Sequence, residues 1–282
     1  MGSKPAASAA VPRRLIINAD DFGRSRSINE AVIKAHREGV LTTASLMVNE
    51  AACSEAVSLA KANPRLGVGL HLTLLCGRSG LTQAQIPGLV NSRNEFPDDS
   101  FKAGTSYYFN RRLRGQLRLE VHEQFRRFRA TGLPMDHVNG HLHMHLHPVV
   151  FRILMEDAAE LGIGCVRLTA DPFWLNLRLA KGQLVYRLSH AIIFQALAAR
   201  ARRELEKRGF RHTQRVFGLL QNARVDEDYV IRLLAQLPAG DSELYSHPSL
   251  DSFKNEFAAL VSPRVRQQIE ARGIQLIRYH DL

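Results

Sequence analysis

Short apolar runs and helically spaced apolar residues alternate along this chain. Residues 14–18 (RLIIN) predict a buried strand that ends at the segment 19–23 (ADDFG). Ile28, Ala31, Val32 and Ala35 then recur at helical spacing. Ser27 with Glu30 three residues on predicts a capping-box start, and Gly39 a stop. Residues 42–48 (TTASLMV) and 67–74 (GVGLHLTL) predict two further strands, with a helix over 55–62 between them that Asn63-Pro64 ends. Later segments repeat the alternation: a basic amphipathic helix over 113–130, a strand ending at 137–139, a helix over 149–161, and short strands at 165–168, 243–245 and 275–279. Strands that alternate with helices predict βαβ units and a parallel sheet. Residues 76–110 interrupt the pattern. They are rich in Gly, Pro, Ser, Asn and Asp, and predict a long loop suited to substrate contacts.

Composition narrows the class. The chain has 282 residues, 45% hydrophobic and 23% charged, which excludes wholesale disorder and suits one α/β barrel of about 250 residues. Residues 1–12 predict a disordered tail and 13–282 a single domain. No apolar run reaches the roughly 18 residues of a membrane-spanning helix, and the N-terminal stretch lacks the apolar core of a secretory signal. Cys53, Cys76 and Cys165 are too few and too scattered for a disulfide framework, so a cytoplasmic address is expected. The net charge of +11 predicts an anionic partner, and it is concentrated. Residues 178–215 hold ten Lys/Arg against two acids, a net +8. Residues 111–129 hold seven Arg against two acids, a net +5, which leaves the rest slightly acidic.

The candidate chemistry lies elsewhere. Five of the twelve histidines fall within 137–147 (HVNGHLHMHLH). Imidazoles two residues apart share one face of a strand, so His141, His143, His145 and His147 are expected to converge, which favours metal coordination over a merely polar loop. Asp20 and Asp21 are adjacent carboxylates after a buried strand, a costly pair unless a cation or proton compensates it. His71 interrupts an otherwise apolar strand. Alone it reads as a hydrogen-bonded core residue; beside an acidic pair and a histidine cluster it reads as a ligand, because parallel strands open their C-terminal ends onto one face.

NADDFG after the first strand, GLHLTL near residue 70, NGHLHMHLHP, the late HPS of 247–249 and the closing GIQLIRYHDL resemble the YdjC-like carbohydrate deacetylases from Arg14 to Leu282. DHVNGHLHMHLHP with TTASLMVNE is similar to the hopanoid-biosynthesis branch of that family. Asn139-Gly140 stands where the common motif has Asp-Ser. The resemblance implies a distorted TIM-like (β/α) barrel and metal-dependent removal of an N-acetyl group from an amino sugar. It implies Asp21, His71 and His141 as metal ligands, Asp20 as catalytic base, and His247 as proton donor or oxyanion partner. Arg167 resembles an arginine that positions the base, with a surface salt bridge as the equal alternative. His143, His145 and Trp174 are expected around the ligands or against substrate. One divalent cation is implied; two imidazoles and a carboxylate favour zinc, and the family keeps magnesium open.

Residues 173–220 fit the barrel alternation poorly and predict an inserted helical, basic segment. Two readings stand: a solvated hairpin, or an interfacial lid whose Arg200–Arg208 cluster rests on anionic lipid. The expected substrate is accordingly the N-acetylglucosaminyl headgroup of a hopanoid lipid, met at the inner face of the cytoplasmic membrane, with a homodimer also expected. The rivals are a soluble chitooligosaccharide deacetylase and a non-enzymatic metal- or nucleic-acid-binding protein. No motif supports specific nucleic-acid recognition.

Overall fold

A computed structural model describes residues 11–282; residues 1–10 of the expected tail lie outside it. The end of that tail is already engaged, since the Pro12 carbonyl accepts the Gly240 N–H at 2.8 Å. The first half of the chain runs β1 (Arg13–Phe22), α1 (Arg26–Glu38), β2 (Thr43–Leu46), α2 (Cys53–Lys61), β3 (Gly67–Leu72), α3 (Ser100–Phe109), α4 (Leu113–Ala130) and β4 (Met135–Gly140). It continues through α5 (Pro148–Glu156), α6 (Ala158–Leu161), α7 (Phe173–Leu179), α8 (Leu184–Arg208) and β5 (Arg215–Phe217). The C-terminal part is α9 (Glu227–Gln236), β6 (Gly240–Ser246), α10 (Lys254–Val261), α11 (Pro263–Ala271) and β7 (Gln275–Leu276).

Among the described residues the strands form one parallel sheet in the order β4-β3-β2-β1-β6-β5, with β7 beside the start of β1. The sheet curls as expected. Its two edges are joined by residues 164–170: Val138 N–H donates to the Cys165 carbonyl at 2.9 Å on the β4 side, and Val216 N–H donates to the Ala170 carbonyl at 3.2 Å on the β5 side. The strand expected over 165–168 is therefore a seam of isolated bridges. β5 has only three residues and β4 ends at Gly140, so neither edge supports a longer ladder.

Two expectations shift at β1 and α1. The strand continues through Asp20 and Asp21 to Phe22 because both carboxylates find partners inside the barrel. Leu15, Ile17 and Ala19 face the helices while Asn18 and Asp20 point into the polar interior. The cap of α1 is Ser25, whose extended backbone lets its hydroxyl accept the Ile28 N–H at 3.3 Å. Ser27 is already helical, and its hydroxyl takes the Leu250 N–H instead, at 3.1 Å.

The barrel interior is crowded with polar groups. A Cβ built on Gly69 would lie 2.5 Å from the His137 ring, so only glycine fits there. Gly69→Ala is expected to lower unfolding free energy by about 1–3 kcal/mol in urea titrations, since the fully buried ring has nowhere to retreat.

The loop over 76–110 gains α3 at its end and is pinned by buried Glu120, which accepts the Gly80 and Leu81 N–H groups at 2.8 and 3.0 Å. The expected insertion over 173–220 is helical, but it ends early. Val216 and Phe217 are fully buried and pair with β6, so the chain has rejoined the sheet by Arg215. The Arg200–Arg208 cluster is also partly committed: Arg202 donates to the Gln214 carbonyl at 3.0 Å, and Arg208 to the Met155 carbonyl at 2.8 Å. No helix among the described residues is long and apolar enough to cross a membrane.

Under α7 lies a buried carboxyl that forms no ion pair among the described residues. Asp171 accepts the Leu220 N–H at 3.0 Å, and burial pushes its pKa up to about 7. A raised carboxyl pKa means that the folded protein holds more protons than the unfolded chain between about pH 4 and 7, so stability falls as pH rises through that window. Asp171→Asn is expected to remove this slope, which urea titrations at pH 5 and pH 8 measure.

Candidate active site

The C-terminal ends of β1, β3 and β4 meet on one face of the barrel. Asp21, next to the end of β1, has φ 63°, in the left-handed region that an aspartate tolerates, and this turn aims its carboxylate across the strand ends. His71 comes from β3, and His141 is the first residue beyond β4. His141 Nδ1 lies 2.9 Å and His71 Nε2 3.3 Å from Asp21 Oδ1. One ligand atom from each of the three residues falls within 4.8 Å of the others, and all three side chains are buried.

Chemistry as well as distance suits this cluster to a divalent cation. His71 Nδ1–H donates to Asn139 Oδ1 at 2.7 Å, which leaves the lone pair on Nε2, a buried nitrogen with no hydrogen-bond partner. Burial opposes charge on His71, yet Asp20 and Asp21 together hold its pKa above the usual value, a sign of surplus negative charge. Arg24 reaches only the outer oxygen of Asp21, at 2.8 Å. One carboxylate and two imidazoles also leave coordination positions open.

Asp20 stays apart from the three. Its Oδ1 accepts from Asn18 at 2.8 Å, Asn139 at 3.2 Å and Arg167 Nη2 at 2.9 Å, while Oδ2 accepts from Arg167 Nη1 at 2.7 Å. Burial alone would raise its pKa, but Arg167 and His71 outweigh burial and keep the carboxyl well below the usual range. Asp20 is therefore an anion with every donor in place, 3.9 Å from His71 Nδ1.

Arg167 is no surface residue. It is fully buried, paired on one side with Asp20 and on the other with Glu243 at 2.6 Å, and its guanidinium lies 4.5 Å from the centre of the Tyr245 ring. Tyr279 donates its hydroxyl to the second Glu243 oxygen.

The sequence profile described as YdjC-like protein matches residues 14–271. The chain belongs to the YdjC-like family. A carbohydrate deacetylase of Geobacillus stearothermophilus is 30% identical over 284 residues, covering 96% of this chain and 98% of that one. A chitooligosaccharide deacetylase of Proteus mirabilis is 33% identical over 174 residues, covering 57% and 62%. A crystal structure from Enterococcus faecalis, of a protein described as a candidate for cellobiose-phosphate cleavage, superposes with a TM-score of 0.73 at 21% identity. That likeness covers 96% of this chain and 98% of that one, and shows the barrel fold.

In this YdjC-like chain His71 and His141 of the triad, together with Asp20, line a cavity of about 420 Å³. His143, Tyr245 and His247 share its polar floor, while Phe101, Ile193, Phe194 and Leu197 make apolar walls. A larger hollow, about 690 Å³, is framed by the loop between Cys76 and Asp98 and by Arg24, but it holds none of the triad.

The histidine run does not behave as a strand. Residues 141–146 form a 3-10 turn, with Leu142 and His143 at φ 49° and 57°, so alternate imidazoles go to different places. Only His141 reaches Asp21. His143 hydrogen-bonds the Tyr245 hydroxyl at 2.9 Å, and His145 donates to the Arg167 carbonyl at 3.0 Å. Burial keeps both neutral, with the His145 pKa held down to about 3. His147 caps α5 and hydrogen-bonds the Gly104 carbonyl at 3.1 Å. His247 lines the cavity with its Nδ1 3.9 Å from Glu256. Trp174 is misplaced by the sequence reading: it is 76% exposed and lies outside the cavity wall. Its helix, α7, turns the ring outward, and Phe194 of α8 takes the aromatic place beside His143, with ring centres 5.2 Å apart.

Sequence reasoning missed Asn18, Glu243, Tyr245 and Ser45, whose hydroxyl accepts from Asn18 at 3.0 Å and from Asn139 at 2.8 Å, and it noted Asn139 only as a departure from the common motif. Asn18 and Glu243 carried a signal, as polar residues within apolar strands. Ser45 and Tyr245 carried none.

Proposed function

We propose that this protein hydrolyses the N-acetyl amide of an amino sugar, with the cavity holding the sugar and the triad holding one divalent ion. The observation that carries this is the pairing of a three-ligand cluster with a separate, fully hydrogen-bonded carboxylate in a chain that matches a carbohydrate deacetylase end to end. A divalent ion, zinc for this nitrogen-rich set rather than magnesium, would supply Lewis acidity to the amide carbonyl and to water. Asp20 accepts a proton from the attacking water. Arg167, Asn18 and Asn139 hold its carboxylate in place while it does so. Water oxygen bonds to the carbonyl carbon, the C–N bond breaks, and His247, across the cavity, delivers the proton with which the amine leaves. Acetate and the free amino sugar result.

The finer reading is an N-acetylglucosaminyl headgroup on a hopanoid lipid. Two features support it: the resemblance of residues 136–148 and 42–50 to that branch, and the apolar walls that α3 and α8 place over the polar floor. A free chitooligosaccharide offers those walls little to bury. The test compares acetate release from N-acetylglucosaminyl hopanoid in detergent with release from N,N′-diacetylchitobiose. A clear preference for the lipid supports the hopanoid reading, equal or better turnover of chitobiose replaces it with the soluble-sugar reading, and no release from either ends both.

The rivals from other classes lose ground. A storage protein needs several ligand clusters, and among the described residues one is present. The basic helix α4 spends Arg118, Arg126 and Arg127 on Glu156 and Glu123, not on a free stripe for nucleic acid.

A further inference from the structure

The N-terminal half of α8 presents an apolar surface with no partner among the described residues. Val185 is 84%, Ile192 64% and Leu184 58% exposed, and Leu188 completes the row. Positions 185, 188 and 192 recur at helical spacing, so this is one continuous stripe on the outer side of the helix. The inner side is already used: Ala191 and Ala198 are buried, and Tyr186, His190 and Phe194 face the cavity. A helix of a globular protein normally has one apolar stripe; α8 has two, and the second faces outward.

The charge beside this stripe is one-sided. No Asp or Glu occurs between Pro172 and Arg203, a stretch that holds Arg178, Lys181, Arg200 and Arg203, all exposed. Trp174, also exposed, sits one helix away on α7, which packs on α8. Apolar side chains on an acid-free, basic ground match an anionic bilayer, where apolar groups enter the acyl boundary and basic groups are attracted to the headgroup charge. A second copy of this chain is the poorer occupant. A symmetric contact through α8 would bring two positive faces together with no acid to neutralise them. The stripe also adjoins the cavity, because Ile193 lines the mouth and remains 54% exposed next to Ile192.

We propose that the outer face of α8 from Leu184 to Ile192, with Trp174, docks this protein onto an anionic lipid bilayer and sets the cavity mouth against the membrane surface. The docking surface is thus the apolar half of α8, flanked by charge, in place of the Arg200–Arg208 cluster expected from the sequence. It extends the glycolipid reading but is tested separately. None of the docking residues lies in the triad or on the cavity wall, so they can be changed without touching the chemistry.

The test is co-sedimentation of the full chain with phosphatidylcholine vesicles, with and without phosphatidylglycerol, alongside acetate release from diacetylchitobiose or another soluble N-acetyl amino sugar. Wild-type protein is expected to bind the phosphatidylglycerol vesicles, and raised salt to weaken that binding. The triple variant Val185→Glu, Leu188→Glu, Ile192→Glu is expected to bind at least about tenfold more weakly, and Arg178→Glu with Lys181→Glu to lose most of the preference for anionic lipid. Soluble-substrate turnover should stay within twofold in both variants, which also reports that they fold. Absence of wild-type binding, or equal binding by the triple variant, overturns the docking face. A wild-type dimer that the triple substitution splits, without vesicle binding, assigns the face to a second copy and equally overturns it. In each of those outcomes, undiminished acetate release leaves the deacetylase reading standing.

Discussion

Asp20→Asn is expected to bind its divalent ion normally and to lose about 10²–10⁴-fold in kcat, the usual contribution of a general base. The expectation follows from the division of labour between neighbouring carboxylates. Asp21 points at His71 and His141, whereas Asp20 points at Arg167, Asn18 and Asn139. An asparagine at 20 keeps the size and an acceptor oxygen for Arg167 but cannot take a proton from water. The change should fall on kcat with little effect on KM, because the role proposed for Asp20 is to take a proton from water and not to hold the sugar. Near-normal turnover by Asp20→Asn would reassign the base; loss of the ion would mean that Asp20 is a ligand after all. Metal content of the variant separates the two failures.

Arg167→Met carries the second large effect, and it reaches stability as well as activity. Methionine approximates the volume but leaves two fully buried carboxylates, Asp20 and Glu243, facing each other with no cation between them. Breaking a buried pair in this way costs about 3–5 kcal/mol, a large fraction of the roughly 5–15 kcal/mol that holds a domain folded. The pH dependence gives the cause away. In the wild-type protein the folded pKa of Asp20 is depressed, so its contribution is present above the unfolded value near 4 and lost as pH falls through the folded value. Without Arg167 the buried Asp20 carboxyl is pushed upward instead, and acidification then favours the fold. The stability difference between Arg167→Met and wild type is therefore expected to narrow from pH 8 to pH 5 in urea titrations. A difference constant across that range would contradict a charge-based origin. Activity should be lost throughout, since Asp20 is no longer oriented.

Much of this was legible from the chain, and the failures share a cause. Strand and helix order and the parallel sheet follow from local periodicity. The meeting of the Asp20-Asp21 pair, His71 and the histidine run follows from one rule, that parallel strands open their C-terminal ends on one face. The choice of Asp21 and His141 within those groups came from the family resemblance. Periodicity has no access to partners distant in sequence. Asp20 could prolong β1 only because Arg167, 147 residues away, neutralises it. The histidine spacing suggested a strand, but after Gly140 the backbone turns into the left-handed region and sends His143 to Tyr245 on the cavity floor and His145 behind the site, to the Arg167 carbonyl. Trp174 looked like a substrate contact because it is the only tryptophan; exposure, which its sequence context does not encode, places it on the outer surface. Composition located the basic segment correctly and misjudged which part of it is free, since Arg202 and Arg208 brace the barrel while apolar Val185 and Ile192 stand in the open.

The most direct test is to measure divalent metal content and acetate release together on the purified protein, before and after chelation, for wild type, His71→Ala and His141→Ala. One ion per chain, removed by chelator along with acetate release and restored with it on adding zinc, is the predicted result, with both alanine variants deficient in ion and in turnover. Full hydrolysis by stripped protein, or alanine variants that hold the ion as tightly as wild type, would contradict a cation held by Asp21, His71 and His141.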